Sequence, residues 1–153
     1  MMGKKSTAFL CALCGPLCVA STLAAADVSV TVVNPLSFGT VAVVNGGTVT
    51  VPPMGSPRAS PGIYLLPSAP GSAARLGIKT DQPNTSYAIT LQDKAVLSTG
   101  SSRMTVTPLT SSNSGVTNAN GVDTIYIGGT LQVSQAQVPG AYEGSFSVIF
   151  NYP

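Results

Sequence analysis

The chain has 153 residues, of which 8% are charged, with a formal net charge of +2, three cysteines and no histidine. The lack of histidine excludes Ser-His-Asp and Cys-His nucleophile systems. Because the cysteines are also confined to residues 11–18, the rest of the chain lacks the ligands of the usual zinc sites. The low charge removes the electrostatic basis for binding nucleic acid or an anionic membrane.

The first 26 residues have the pattern of a secretory signal peptide. Lys4 and Lys5 precede the apolar run AFLCALCGPLCVA, and small residues end the segment at Ala26. A positive start, about a dozen apolar residues and an Ala-x-Ala end are typical of a cleaved signal. We therefore expect cleavage after Ala26. A retained membrane anchor is the alternative, but no basic stop-transfer segment follows.

All three cysteines lie inside this segment, at Cys11, Cys14 and Cys18. A Cys-x-x-Cys pair that leaves with a signal peptide is not a redox or metal site. Cys14 and Cys18 each follow leucine rather than a small residue, which disfavours lipid attachment. The mature protein is therefore expected to reach an oxidising compartment without disulfides, so burial and hydrogen bonds must stabilise it.

The mature chain, residues 27–153, has 153 − 26 = 127 residues, a length that suits a single domain with its own core. Removing Lys4 and Lys5 leaves 7 − 2 = 5 basic residues against five acidic ones. The net charge is then about zero, so we expect neither nucleic acid nor membrane as a partner after cleavage. A chain with so little charge also opposes self-association only weakly.

Strand-type alternation starts at once in the mature chain, which has no helical pattern. Val28, Val30 and Val32 share one face of a first strand. The runs LSFGTVAVV and TVTV follow, separated by Asn45-Gly46. That dipeptide predicts a tight β-hairpin, because both of its turn positions need positive φ.

The middle of the chain predicts further strands between loops. The stretches 52–61 and 67–72 are rich in proline and glycine and predict loops around a short strand, IYLL. ARLGIK, SYAITL and a weaker strand around Met104 follow. Residues 111–121 read as a polar loop without core-forming residues. DTIYIGGTLQV then alternates strictly, with Ile125, Ile127, Leu131 and Val133 on one side. Its Gly-Gly pair predicts a bulge or a close backbone approach.

The last fourteen residues, GAYEGSFSVIFNYP, alternate between an apolar and a mostly polar face. The apolar face carries Gly140, Tyr142, Phe146, Val148, Phe150 and Tyr152. Because an apolar strand at a terminus needs neighbours on both sides, we expect strand pairing between molecules. Eight to ten short strands in one domain predict an all-β fold, an antiparallel immunoglobulin-like β-sandwich. An outer-membrane barrel is the alternative, but its aromatic girdles are missing.

The polar residues predict no catalytic centre, cofactor or metal. The acidic residues of the mature chain lie at the new N-terminus, beside turns or on the outward side of the last strand, where they read as solvated surface groups. Asn118-x-Asn120-x-x-Asp123 superficially resembles a calcium loop, but it lacks the acid count and the terminal glutamate of such loops. A polar hairpin loop explains it equally well. We expect that the protein is not an enzyme.

Three motifs, LSFGTV, GGTL and PGAYEGSFSVIFNYP, resemble a family of secreted bacterial β-domains of unknown function. They are also similar to the subunits of chaperone–usher pili. Those subunits have a glycine at the start of the C-terminal strand and a penultimate tyrosine, and Gly140 and Tyr152 occupy these positions here. The chain departs from that pattern in its expected lack of a disulfide and of a long N-terminal extension before the first strand.

The resemblance implies a pilin-like sandwich that lacks one strand, in which the C-terminal strand borders an open groove. In such subunits a periplasmic chaperone and later the N-terminal segment of the next subunit fill the groove. The groove side would be the apolar face of the last strand, and Val28, Val30 and Val32 would be the candidate donor residues. If residues 27–33 instead form the domain's own first strand, no donor remains.

The resulting expectation is a structural subunit of a surface fibre (pilus or fimbria) that passes through the periplasm to the cell surface. Its partners would be other copies or related subunits, together with a periplasmic chaperone and an outer-membrane usher. The alternative is a self-contained secreted immunoglobulin-like module for binding or adhesion, in which the same apolar residues are simply core. A periplasmic hydrolase is a third hypothesis, supported only by the surface acids.

Overall fold

The structure is a computed structural model that describes residues 28–112 and 115–152; the expected signal peptide lies outside these ranges. The described residues form twelve strands and no helix, and therefore no helix that could cross a membrane. The strands are β1 (Val28–Asn34), β2 (Ser37–Val43), β3 (Gly47–Val51), β4 (Arg58–Ala59), β5 (Ile63–Ser72), β6 (Ala74–Thr80), β7 (Ala88–Leu91), β8 (Ala95–Thr99), β9 (Ser102–Ser111), β10 (Val122–Val133), β11 (Glu143–Ser145) and β12 (Val148–Asn151).

One large sheet forms the first layer, in the order β1-β6-β10-β9-β8-β11. The long strand β10 organises it: β6 pairs with the first half of β10, β3 pairs with the second half, and β4 extends the sheet beyond β3. Two separate ribbons, β2–β5 and β7–β12, contribute to the other side of the core. All strand pairs are antiparallel. The predicted all-β sandwich is confirmed.

The core lies between the layers and follows the alternation of the sequence. The large sheet contributes Leu76, Ile125 and Ile127, each with 0% of its surface exposed. The ribbons contribute Phe38, Ile63, Val148 and Phe150 to the same cluster. Burying a side chain of this size stabilises the fold by about 1.5–3 kcal/mol. The shared face predicted for Ile125 and Ile127 from the alternation of β10 is therefore confirmed.

The hairpin predicted at Asn45-Gly46 is wrong. β2 pairs with β5 and β3 pairs with β10, so the segment between them crosses from one layer to the other. Neither Asn45 nor Gly46 has a positive φ. Gly46 is instead required for close packing, since a Cβ there would lie 2.8 Å from the backbone nitrogen of Gln135.

The loop predicted at residues 67–72 is also wrong, because β5 continues through it to Ser72. Pro70 pairs with Gly39 of β2, and β5 has no second neighbour among the described residues. A proline is tolerated in such an edge strand because its missing N–H is not needed for a second ladder. Strand β8 was not predicted from the sequence, and the predicted C-terminal strand is divided into β11 and β12, which lie in different sheets.

Both features predicted for Gly128-Gly129, a bulge and a close backbone approach, are present. The register between β10 and β9 shifts between Gly129 and Leu131, which is a bulge. The backbone at Val51 also approaches so closely that a Cβ at Gly128 would lie 2.1 Å from its carbonyl oxygen. Gly128 thus allows the chain that leaves β3 at Pro52 and Pro53 to lie directly against β10.

The polar segment 111–121 contributes a buried polar side chain, contrary to expectation. Thr117 is 1% exposed, and its hydroxyl accepts a hydrogen bond from the backbone N–H of Thr85 at 2.9 Å. It also lies 3.3 Å from the hydroxyl of Thr80, which in turn donates to the carbonyl of Gln82 at 2.7 Å. A buried hydroxyl is acceptable when it is hydrogen-bonded in this way, so threonine ties this loop to the end of the sandwich.

Candidate functional site

An apolar groove opens between two strand edges of the sandwich. One wall is formed by residues 35–43, which include β2, and the other by residues 135–146, which include β11. Its volume is 840 Å³. Within the described chain β2 pairs only with β5 and β11 pairs only with β8, so each wall has an edge without a strand neighbour. We refer to this feature as the groove.

The floor of the groove is the inner face of the large sheet, where β8, β9 and β10 lie side by side. The floor residues are Ala95, Leu97, Met104, Val106, Leu109, Leu131 and Val133. Leu97 is half-buried, whereas the other six are buried, so its side chain is the most accessible part of the floor. Glu143 is the only charged residue among the described lining residues. The groove therefore suits an uncharged, apolar occupant.

The β2 wall has the length and geometry of a pairing edge. Its seven residues correspond to about 23 Å of extended chain. Phe38 is buried beneath the wall, while Val41 and Val43 are half-buried and pack against the core. Gly39 has a φ of +72°, and the β2–β5 register shifts between Gly39 and Val41. This bulge changes the path of the wall at its middle.

The opposite wall is held by the hydroxyl of Tyr142. That hydroxyl donates to the carbonyl of Val138 at 2.6 Å and accepts from the Nε2 of Gln137 at 2.7 Å. Gln137 also donates to the carbonyl of Arg103 at 3.3 Å, which fastens the segment to β9. Tyr142 thus determines the shape of the wall between residues 137 and 142.

Replacing Tyr142 by phenylalanine should loosen this wall without unfolding the domain. Two hydrogen bonds at a half-buried site are lost, so we expect the free energy of unfolding to fall by about 1–2 kcal/mol. Urea denaturation measures the loss, and hydrogen exchange should locate it at residues 137–142. Tyr64→Phe is the control, because Tyr64 is 63% exposed and should change neither quantity. An equal loss in both variants would contradict the assigned role of Tyr142.

The predicted groove residues of the C-terminal strand fall into two sets. Gly140, Tyr142 and Phe146 line the groove. Val148 and Phe150 lie on β12, where they are 0% and 3% exposed in the core beside β7. Tyr152 is half-buried and packs against the same core. The role of these residues in subunit contact stays a prediction.

The candidate donor residues lie in the chain's own large sheet. Val28, Val30 and Val32 are on β1, which pairs with β6 so that Val30 is opposite Ile78. All three are half-buried and pack against the core. Donation to another subunit would require β1 to leave β6, and this role stays a prediction.

Most of the groove could not be recognised from the sequence. Leu131 and Val133 were expected to share one side of their strand, but nothing in their alternation indicates that they lie below an opening. Leu97 was missed because the apolar run AVL is too short to stand out as a strand. The only available signal was LSFGTV, which has the alternation of a strand but no pattern that reveals a free edge.

The polar side chains at one end of the sandwich, including Asn118 and Asp123, make hydrogen bonds within the fold. The side-chain oxygen of Asn118 accepts hydrogen bonds from the N–H groups of Asn120 and Val122, and this closes a turn. The carboxylate of Asp123 accepts from the hydroxyl of Tyr87 and from the N–H of Thr124. Across residues 28–112 and 115–152, no group of three or more His, Cys, Asp or Glu side chains could hold a metal ion.

These features define a class of protein: an antiparallel β-sandwich with an apolar groove between two strand edges. The family model described as "Domain of unknown function (DUF4402)" matches residues 28–152. The chain belongs to this family. Comparison with curated proteins and with solved structures found no match.

Proposed function

We propose that this protein is a structural subunit of a bacterial surface fibre, and that the groove accepts an extended segment of another subunit. The observation that carries the proposal is the pair of open edges, β2 and β11, on either side of an apolar floor. A strand placed between them would gain main-chain hydrogen bonds from an edge and bury alternate side chains on the floor. This combination is β-augmentation, in which the backbone provides affinity and side-chain sites provide specificity.

The chemistry of the lining supports an apolar strand as the occupant. The floor side chains are aliphatic apart from the thioether of Met104, and the only charge among the described lining residues is Glu143. An extended segment beside β2 would present every second side chain to the floor, about three or four over its seven residues. The expected partner is a subunit segment with alternating apolar residues, delivered after a periplasmic chaperone that first occupies the same groove.

Such assembly also suits the expected export route. The signal peptide would direct the chain to the periplasm, and filling the groove there would cover edges that otherwise favour aggregation. The proposed final location is a fibre on the cell surface.

The direct test is a charge placed on the floor of the groove. We expect Leu97→Arg to abolish fibre assembly, since an occupant would have to bury an unpaired guanidinium at a cost of several kcal/mol. Surface material sheared from cells should then lose the SDS-resistant ladder that the unmodified protein gives before boiling. Negative-stain electron microscopy should show no filaments.

Val96→Arg is the matched control for this variant. Val96 is the neighbouring residue on β8, with a side chain that is 42% exposed and is not part of the groove lining. It should leave the ladder and the filaments intact. Circular dichroism of both variants must show the same cooperative melting. Ladders of equal strength in the two variants, or a monodisperse monomer formed by the unmodified protein without any chaperone, would defeat the proposal.

A second candidate function is a self-contained secreted binding module. The placement of β1 favours it, because the candidate donor strand already pairs with β6 of its own chain. This alternative predicts that the isolated 127-residue chain unfolds cooperatively as a monomer, and that Leu97→Arg changes no assembly.

A further inference from the structure

We infer that the outer edge of β1 is a self-association site, at which β1 pairs antiparallel with β1 of a second copy of this chain. The contact would join the two large sheets edge to edge across a two-fold axis. It does not use the groove lining, and it requires β1 to stay paired with β6 rather than to act as a donor strand. The chemistry of β1, compared with that of the other strand edges in the same molecule, supports it.

Over Val28–Val32, β1 is a regular edge strand without the usual protection against pairing. Its one register shift against β6 lies between Val32 and Asn34, at the end of the strand. The strand pairs only with β6 among the described strands, and its sequence VSVTVVN contains no proline, no lysine and no other charge. Five of its seven residues are β-branched, which favours a regular extended strand. Val33 is 50% exposed on this strand. Proteins that keep an edge unpaired usually place charges, prolines or bulges along it.

The other open edges away from the groove are shorter or are blocked in this way. β5 has ten residues but carries Pro67 and Pro70, which cannot donate to a new ladder. β7 has only four residues and is followed by Asp93 and Lys94 after one intervening glutamine. β12 and β4 have free edges as well, but they have only four and two residues. Among these described edges, β1 is the longest one that contains neither proline nor charge.

A second copy of β1 is the occupant that fits this edge. Directly opposed residues of an antiparallel pair lie on the same face of a sheet. A two-fold axis at Val30 therefore places Val28 opposite Val32 of the partner and Val30 opposite its own equivalent. All three valines would meet valines, and Ser29 would oppose Thr31. No charged side chain within residues 28–34 would face another across the axis.

The partial burial of the β1 valines is consistent with a strand edge that another strand could still cover. Val28, Val30 and Val32 are half-buried, whereas the inward residues Leu76 and Ile78 on the adjacent β6 are 0% and 2% exposed. A partner β1 would cover part of the remaining apolar surface. Two-fold pairing also closes on itself, so it gives a dimer rather than an open array.

Disulfide trapping tests the pairing directly. The experiment uses the full chain with Cys11, Cys14 and Cys18 replaced by alanine, carrying either Ser29→Cys or Thr31→Cys. Opposed residues of an antiparallel pair have Cα atoms about 4.5–5.5 Å apart, within the range for a disulfide. We expect a mixture of the two variants to form covalent dimers about tenfold faster than a mixture of Thr31→Cys with Thr124→Cys. Thr124 is exposed but lies on the central strand β10.

An edge lysine provides the second measurement. Thr31→Lys should raise the dimer dissociation constant about tenfold or more in sedimentation experiments, because it places a solvated charge on the pairing edge. Thr124→Lys should leave it unchanged, and both should melt like the unmodified protein. Leu97→Arg should still dimerise, which separates this contact from the groove. Equal trapping in both cysteine mixtures, or an unmodified protein that stays monomeric at millimolar concentration, would overturn the inference.

Discussion

Replacing Phe150 by aspartate is expected to abolish folding of the domain. Phe150 is 3% exposed on β12, opposite Ile89 of β7, and it belongs to the central core cluster. Removing a buried phenylalanine costs about 3–5 kcal/mol, and burying an unpaired carboxylate adds to this loss. The sum approaches or exceeds the whole stability of an ordinary domain, about 5–15 kcal/mol. Circular dichroism should show no cooperative thermal transition.

Phe150→Leu is the matched control for this substitution. It keeps an apolar side chain at the same position, and we expect it to fold with a loss of about 1–2 kcal/mol. The comparison also bears on function, because Val148 and Phe150 do not line the groove. If Phe150→Asp folded normally but failed to assemble, the aromatic ring would belong to a subunit contact rather than to the core.

Replacing Gly128 by alanine is expected to destabilise the domain strongly, although only one methyl group is added. The new Cβ would lie 2.1 Å from the carbonyl oxygen of Val51 and 2.7 Å from backbone atoms of Pro52 and Pro53. These are backbone atoms, so no side-chain rotation relieves the overlap, and the end of β3 must move away from β10. We expect the free energy of unfolding to fall by about 3 kcal/mol or more, measured by urea denaturation.

Gly77→Ala is the control for this effect. Gly77 lies on β6 in the same sheet, and the nearest atom to an added Cβ would be the Cγ2 of Val33, at 3.9 Å. Alanine fits there, and it reduces the conformational freedom of the unfolded chain, so stability should stay the same or rise by about 0.5 kcal/mol. Similar losses at both positions would show that the close approach of β3 is not the reason for glycine at 128.

The sequence predicted the fold class and most inward faces but not how the strands pair. Alternation identifies which side chains of a strand are buried together, as for Ile125 and Leu131 on β10. It does not identify the neighbour that covers them. The Asn45-Gly46 prediction failed for this reason: a local turn preference was taken to imply pairing of β2 with β3, whereas each pairs with a distant strand.

At the candidate site, too, the sequence predicted which residues share a face but not which strands are neighbours. The sequence placed Gly140, Tyr142 and Phe146 on one apolar face, and the structure brings all three to the groove. Val148 and Phe150 were placed on the same face, but the structure puts them in the core on β12, which pairs with β7. One alternating pattern extends across β11 and β12, and the switch between sheets leaves the alternation unchanged.

The sequence by itself determined that the described domain is all-β, which residues share a face in most of its strands, and that little charge opposes self-association. Those properties follow from the period of the side chains and from composition, both of which are local. The tertiary structure alone decided that β1 pairs with β6, that a groove separates β2 from the C-terminal segment, and that Leu97 lies at its floor. A free edge is the absence of a neighbour, and neighbours are set by pairing between distant segments, which side-chain alternation does not encode.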